Sequence, residues 1–354
     1  MSRVVGRHRP CAERSSTQHL ERASIRCPGP VDPLPRTGVD PLPRRSAAGP
    51  GFVGPPDRYG GRPDGSEWAT RARMNDMVSG PVAFVLGGGG VLGAVEVGML
   101  RALFRAGIYP DLVLGTSIGA VNGALVAADP SEAVTDRLVR LWASPEASEV
   151  YGDSIARQLR RFAARTHLHS PRPLRRLLEA ELGEQTTFAD LKVPFRCCAA
   201  SIERAAEHWF RSGPLVPAVL ASAAVPGLLP PAQIDGEHFV DGGIVNSIPI
   251  GEAVQLGARQ IFVLQVGRIE RPLSPPRRPW EIAQVAFEIA RRHRFAREMA
   301  ALPDDVDVHV LPTGGLGLRD DSPWAYRDMA AVGRRISRAY TASRRYLSEH
   351  LDPG

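Results

Sequence analysis

The residues able to do chemistry stand in three places along this chain. The first is Ser117, in the string Gly115-Thr116-Ser117-Ile118-Gly119. The pattern G-x-S-x-G suits a sharp strand-to-helix turn that holds a serine hydroxyl clear of the sheet. Gly115 and Gly119 serve such a turn because a side chain there would collide with the neighbouring strand or helix. A serine so placed is a candidate nucleophile. A serine in an ordinary glycine-rich strand–helix turn is the plainer reading of the same five residues. The second place is the run Gly87-Gly88-Gly89-Gly90-Val91-Leu92-Gly93. Consecutive glycines leave backbone N–H groups free to turn toward one point, and at a helix N-terminus they form an anion pocket. The third is Asp241, followed by Gly242 and Gly243, which leave its carboxylate unobstructed.

The glycine run admits other readings. Gly88-x-Gly90-x-x-Gly93 also matches the dinucleotide fingerprint, which further requires an acid about 20 residues on, at the end of the second strand. The nearest acid, Asp111, precedes the apolar run Leu112–Leu114 and so falls at the wrong end of the sheet. A nucleotide-binding module is therefore the alternative. No Gly-Lys-Ser/Thr follows the run, which excludes a P-loop. An oxyanion hole suits these glycines better, because the serine turn lies on the very next strand. The histidines, among them His167, His169, His208, His238, His293 and His309, form no catalytic motif. Asp304, Asp305 and Asp307 read as a solvated turn before a strand, and no spacing suggests metal ligands. Neither a metal nor a cofactor is expected.

The elements that must hold these residues follow from the apolar pattern. Val82–Leu86 is a short buried strand, and the glycine run follows it directly. Val95, Met99, Ala102, Leu103 and Ala106 recur at helical spacing, with Gly107 to close the helix. Leu112–Leu114 is the next strand, and a helix runs from Ile118 to near Asp129-Pro130. Strand, loop, helix, strand, turn, helix is the signature of a parallel sheet with crossover helices. Residues 131–183 read as arginine-rich helices, carrying Arg157, Arg160, Arg161, Arg165, Arg172, Arg175 and Arg176. These are surface helices packed on the sheet or, alternatively, a lid facing anionic lipid heads. Strands are expected at Phe195–Ile202 and His208–Arg211, and a small-residue helix at Leu215–Val225. Asp235-Gly236 marks a hairpin leading to Val240-Asp241. Gln260–Val266 and Val306–Leu311 are further strands, separated by a long helix over Trp280–Leu302 and closed by a helix over Ala325–His350. The expected fold class is α/β: a three-layer α/β/α domain with a mostly parallel central sheet.

Composition bounds the rest. The 354 residues are 43% hydrophobic and 23% charged, which suits one large domain or two medium ones. Residues 1–76 hold 11 prolines and 9 glycines, and Val-Asp-Pro-Leu-Pro-Arg occurs twice, at Val31–Arg36 and Val39–Arg44. That composition reads as a disordered tail, with a proline-rich recruitment peptide as the alternative. Met74 and Met77 stand just before the first strand and are candidate starts. The division is thus 1–76 tail and 77–354 domain, with its motifs within about 80–265 and further helices and a strand over 266–354. The net charge of +6 resides mostly in the tail, where 13 arginines face 8 acids; the remainder is near neutral, which gives nucleic-acid binding no support. Four cysteines, with Cys197 and Cys198 adjacent, do not make a disulfide framework, so a reducing, cytoplasmic compartment is expected. No apolar run of membrane-spanning length occurs, and the N-terminus lacks the apolar region of a secretory signal.

With these residues in view, the sequence resembles the patatin-like phospholipase family. The resemblance rests on Gly88–Gly93 (G-x-G-x-x-G), Gly115–Gly119 (G-T-S-I-G) and Asp241–Gly243 (D-G-G), in that order, with Ala221–Gly227 before the third motif. It implies lipid acyl hydrolysis by a Ser-Asp dyad, with Ser117 as nucleophile and Asp241 as proton acceptor. It also implies an oxyanion hole from backbone N–H groups around Gly88, Gly89 and Gly90. One departure is Leu92, where many members carry Arg or Lys; a degenerate acyl-transfer or binding protein is a further alternative on that account. The chemistry agrees with the implied roles. Ser117 would attack an ester carbonyl, backbone donors would stabilise the oxyanion, and water would release the acyl-enzyme. Asp241 lies among Phe239, Val240, Ile244 and Val245, an apolar setting expected to desolvate the carboxylate and raise its pKa. The expected partners are a lipid ester substrate and, peripherally, a membrane surface.

Overall fold

The computed structural model describes residues 80–144, 167–266, 272–276, 279–315 and 329–351. The tail, and with it Cys11, Cys27 and both proline-rich hexamers, lies outside the described residues, as do Arg157, Arg160, Arg161 and Arg165.

The strands are β1 (Val82–Leu86), β2 (Leu112–Thr116), β3 (Phe195–Ser201), β4 (Ala206–Phe210), β5 (Ala232–Ile234), β6 (Glu237–Asp241), β7 (Gln260–Leu264) and β8 (Asp307–Val310). They form one eight-stranded sheet in the order β5-β6-β3-β2-β1-β7-β8, with β4 also paired to β3. The centre is parallel: β1 pairs in parallel with β2 and β7, β2 with β3, and β7 with β8. β3 pairs antiparallel with β4 and β6, and β5 with β6. The β1 sequence VAFVL and the β7 sequence QIFVL are buried throughout, as parallel strands covered on both faces must be.

The helices are α1 (Ala94–Arg105), α2 (Ile118–Ala128), α3 (Glu132–Trp142), α4 (Arg172–Leu182), α5 (Leu215–Ser222), α6 (Gly243–Asn246), α7 (Ile250–Gln255), α8 (Pro279–Ala300) and α9 (Met329–His350). Side-chain alternation along β1 separates the two helical layers. Val82, Phe84 and Leu86 pack into a core with α1 to α5 and α9. Ala83 and Val85 face the opposite way, onto Ile248, Ile250 and Ala253, with Phe295 and Met299 of α8 against that cluster. The three-layer α/β/α domain with its mostly parallel sheet is the architecture expected from the sequence.

Two local differences have physical causes. α5 stops at Ser222 rather than Val225. The next carbonyls are drawn sideways: Asp241 N–H donates to Ala224 O (2.9 Å) and Gly242 N–H to Ser222 O (3.3 Å). The stretch after Asp241, to which the sequence pattern assigns no element, contains the one-turn helix α6 and the short helix α7, which follows Pro249. Pro at a helix entry has no N–H to leave unsatisfied.

Candidate active site

Sheet topology brings Ser117 and Asp241 together. β2 runs parallel to β3 and ends with Thr116 opposite Cys198. β6 lies on the same edge of β3 but runs the other way, ending with Asp241 opposite Ala199. The two strands therefore meet head to head along one edge of β3, and the residue after Thr116 faces the last residue of β6. Ser117 Oγ donates to Asp241 Oδ2 at 2.5 Å. The pair is nearly enclosed, with Ser117 6% and Asp241 4% exposed.

The serine turn is strained in the way its motif requires. Ser117 has φ 58° and ψ −122°, one of three non-glycine residues with positive φ among those described. A side chain there is costly and persists where the surroundings hold it. A Cβ on Gly119 would run into the Leu86 carbonyl, and one on Gly115 would come within 2.7 Å of Ala120 Cα. Both glycines let β1, β2 and α2 close around the turn. Ser117 N–H donates to Ser222 Oγ (3.0 Å), which donates to Cys198 O (2.6 Å). Thr116 Oγ1 donates to Asn246 O (2.8 Å), tying the turn to α6.

Asp241 is held from its other oxygen. Gly243 N–H donates to Oδ1 at 2.7 Å. A Cβ on Gly242 would strike the Cys198 carbonyl, so only glycine lets this turn lie against β3. Burial pushes the Asp241 carboxyl up to about 6, against the opposing pull of the Ser117 and Gly243 hydrogen bonds. Such a carboxylate can accept a hydroxyl proton near neutral pH. The same burial raises the Cys197 and Cys198 thiols, which are free.

The glycine loop lies against the serine turn. A Cβ on Gly88 would sit 3.4 Å from Ser117 Cβ and 3.1 Å from Ser247 Oγ. Gly87 N–H donates to Leu264 O and Gly88 N–H to Ser247 O, each at 2.9 Å, so neither amide is open to a ligand. Among the described residues the Gly89, Gly90 and Ile118 amides make no such bond. Gly90 has φ +55° with open space where a Cβ would point. A 3-10 turn, Gly90–Gly93, leads into α1, and Gly93 is wedged against Ile118 and Trp142. Leu92 is partly buried against the main core.

Several polar residues of this region were not singled out from the sequence. Glu96 on α1 is wholly buried; Asn122 Nδ2 donates to its Oε2 (2.7 Å) and to Gly93 O (3.0 Å), while Trp142 Nε1 donates to Asn122 Oδ1 (3.2 Å). Burial holds the Glu96 carboxyl well above the usual range, despite the Asn122 hydrogen bond. Ser222 Oγ accepts from Ser117 N–H, and the Asn246 and Ser247 carbonyls accept from Thr116 Oγ1 and Gly88 N–H. The available signal was a lone polar residue inside an apolar helix: Glu96 in α1, Asn122 in α2 and Ser222 in α5. Asp111 Oδ2 accepts the Val82 N–H (2.9 Å) at the start of β1, the opposite end from Ser117. His309 bonds Gln260 and stacks on Phe262. No cluster of metal-ligating side chains occurs among the described residues.

Comparison with known proteins gives a similarity that follows the candidate site. Residues 84–254 match the patatin-like phospholipase family. Over those residues this chain is similar to patatin-like phospholipases. A patatin-like phospholipase domain-containing protein of Caenorhabditis elegans is 33% identical over 210 residues, covering 58% of this chain and 15% of that protein. A lysophospholipase of Mycosarcoma maydis is 30% identical over 225 residues, covering 59% of this chain and 11% of that protein. The chain thus spans a small part of the length of these curated relatives. The crystal structure of VipD from Legionella pneumophila is similar at 14% identity and a TM-score of 0.42, over 77% of this chain and 67% of that one.

Proposed function

We propose that this patatin-like domain is a serine lipid acyl hydrolase, a carboxylic ester hydrolase of the phospholipase A or lysophospholipase type. The observation that carries the reading is the 2.5 Å contact between Ser117 Oγ and a desolvated Asp241. Asp241 takes the proton as Ser117 Oγ attacks the acyl carbonyl. The Gly89, Gly90 and Ile118 amides receive the oxyanion. The alcohol leaves with a proton returned from Asp241, and water then cleaves the acyl-enzyme by the same route. Gly88, Gly93, Gly115, Gly119, Gly242 and Gly243 act by letting backbones approach. No step calls on a metal or cofactor. The substrate is a lipid ester, met at a membrane surface that the protein contacts peripherally from the cytoplasm; no helix among the described residues is long and apolar enough to cross a membrane.

The test is labelling with a fluorophosphonate followed by peptide mapping, then turnover of a phospholipid and lysophospholipid panel. The label is expected on Ser117. Ser117→Ala should keep the wild-type circular dichroism and lose at least about a thousandfold in ester turnover. Turnover above a tenth of wild type in that variant would remove Ser117 from the mechanism.

A further inference from the structure

Ser247 sits between α6 and α7 and is 3% exposed. Its hydroxyl has no hydrogen-bond partner among the described residues. A buried, unmet hydroxyl destabilises a fold, and such groups call for an explanation. Here the position supplies one. Ser247 Oγ and Ser117 Cβ both lie in contact range of the same point, the place a Cβ on Gly88 would occupy. The hydroxyl therefore borders the space beside the nucleophile.

The local hydrogen bonding shows what that space lacks. Gly88 N–H is already given to Ser247 O (2.9 Å). Ser117 N–H is given to Ser222 Oγ (3.0 Å). Two amides next to Ser117 are thus already committed, while one buried side-chain donor beside them has no partner among the described residues. The backbone carrying that donor is pinned at consecutive residues, by Thr116 Oγ1 on Asn246 O (2.8 Å) and Gly88 N–H on Ser247 O (2.9 Å). A donor fixed before substrate arrives needs no reorganisation as charge develops, which is the condition for electrostatic stabilisation of an oxyanion.

We infer that Ser247 Oγ donates a hydrogen bond to the carbonyl oxygen of the bound acyl ester, and that this bond strengthens as the oxygen becomes an oxyanion. Ser247 is then a catalytic donor working beside the Gly89, Gly90 and Ile118 amides, in place of the amide that Gly88 has committed elsewhere. The inference rests on Ser117 being the nucleophile of an acyl hydrolase.

The experiment compares wild type, Ser247→Ala and Ser117→Ala on a short-chain p-nitrophenyl ester, reading kcat, KM and thermal midpoint. Ser247→Ala should lower kcat about a hundredfold to a thousandfold, the range for loss of one oxyanion donor. KM should stay within about twofold, because the bond strengthens in the transition state. The thermal midpoint should hold or rise, because a hydroxyl unsatisfied in the free protein has been removed. A kcat within twofold of wild type overturns the inference. If Ser247→Ala fails to fold, Ser247→Cys keeps the volume with a weak donor: a folded variant with reduced kcat supports the inference, and one with wild-type kcat overturns it. Turnover lost in Ser117→Ala but intact in Ser247→Ala rejects the Ser247 donor alone. Turnover surviving in Ser117→Ala rejects the reading of the whole site.

Discussion

Asp241 carries opposite consequences for activity and stability. Its carboxyl is raised from 3.8 to about 6, chiefly by burial. In the proposed role of base it must be ionised, so ester turnover should rise through an acidic limb centred near pH 6. For stability the sign is reversed. A carboxyl with a raised folded-state pKa contributes most below the unfolded value, and that contribution is lost as pH rises through about 6. A shift of roughly two pKa units corresponds to about 3 kcal/mol at neutral pH. Asp241→Asn cannot accept the proton, yet its amide oxygen can still take the Gly243 N–H. The variant should lose most turnover, by at least about a hundredfold, and should melt higher than wild type at pH 8 but not at pH 4. If Asp241 merely capped a turn, Asn would cap about as well and turnover would largely survive. Turnover from pH 4 to 9, with melting curves at both ends, separates the two. Near-wild-type rates with an unchanged acidic limb would remove Asp241 from the chemistry.

The elements meet at the dyad because backbones approach more closely than side chains allow. Gly119 lies on the Leu86 carbonyl, so Gly119→Ala forces α2 away from β1. Overpacking of this kind costs about 1–3 kcal/mol or more, and this variant should lose both thermal stability and activity. Gly90 differs: a methyl there meets nothing within 4 Å, but φ is +55°. Gly90→Ala should lose only about 1 kcal/mol, the penalty of a left-handed alanine, while turnover drops through the disturbed Gly89–Gly90 amides. Equal melting losses in the two variants would contradict this account. The same distinction explains what the sequence could convey. The strands, the hairpin over Asp235-Gly236 and the positions of Ser117 and Asp241 were legible, since apolar runs and turn residues are local signals. That Asp241 ends opposite Ala199 while β2 ends opposite Cys198 is a matter of register between distant segments. Nothing local encodes it. The commitment of the Gly88 amide to Ser247 was hidden for the same reason, and so was the burial of Glu96 beside Asn122.

At the scale of the whole molecule, the two faces of the sheet are unequally covered. The layer holding α1 to α5 and α9 is thick, whereas the other carries α6, α7 and α8 over a smaller core. On that thinner side Phe287 of α8 packs beside Gly243, whose N–H holds Asp241. The first turns of α8 then turn apolar residues to solvent: Ile282 is 59% and Ile289 56% exposed, and Ile244 is exposed nearby. The arginines that follow on α8 invite an electrostatic reading of membrane contact, but most are already matched. Arg291 and Arg292 pair with Glu288, and Arg294 with Glu207 and Glu298, while Arg297 is exposed. Paired charges attract lipid headgroups weakly, so apolar insertion should dominate over charge. Each fully buried aliphatic side chain contributes roughly 1.5–3 kcal/mol. Ile282→Glu with Ile289→Glu should therefore weaken co-sedimentation with phosphatidylcholine vesicles by roughly tenfold or more. Turnover of a water-soluble short-chain ester should stay near wild type, because neither residue belongs to the Ser117–Asp241 site. Adding phosphatidylglycerol to the vesicles should strengthen binding of the wild-type protein only modestly, and raising salt to about 0.5 M should remove just that increment, exposed charges being screened within about 10 Å already at 0.1 M. Vesicle binding that survives the double substitution but vanishes in salt would transfer the membrane contact from the apolar turns of α8 to its unpaired charges.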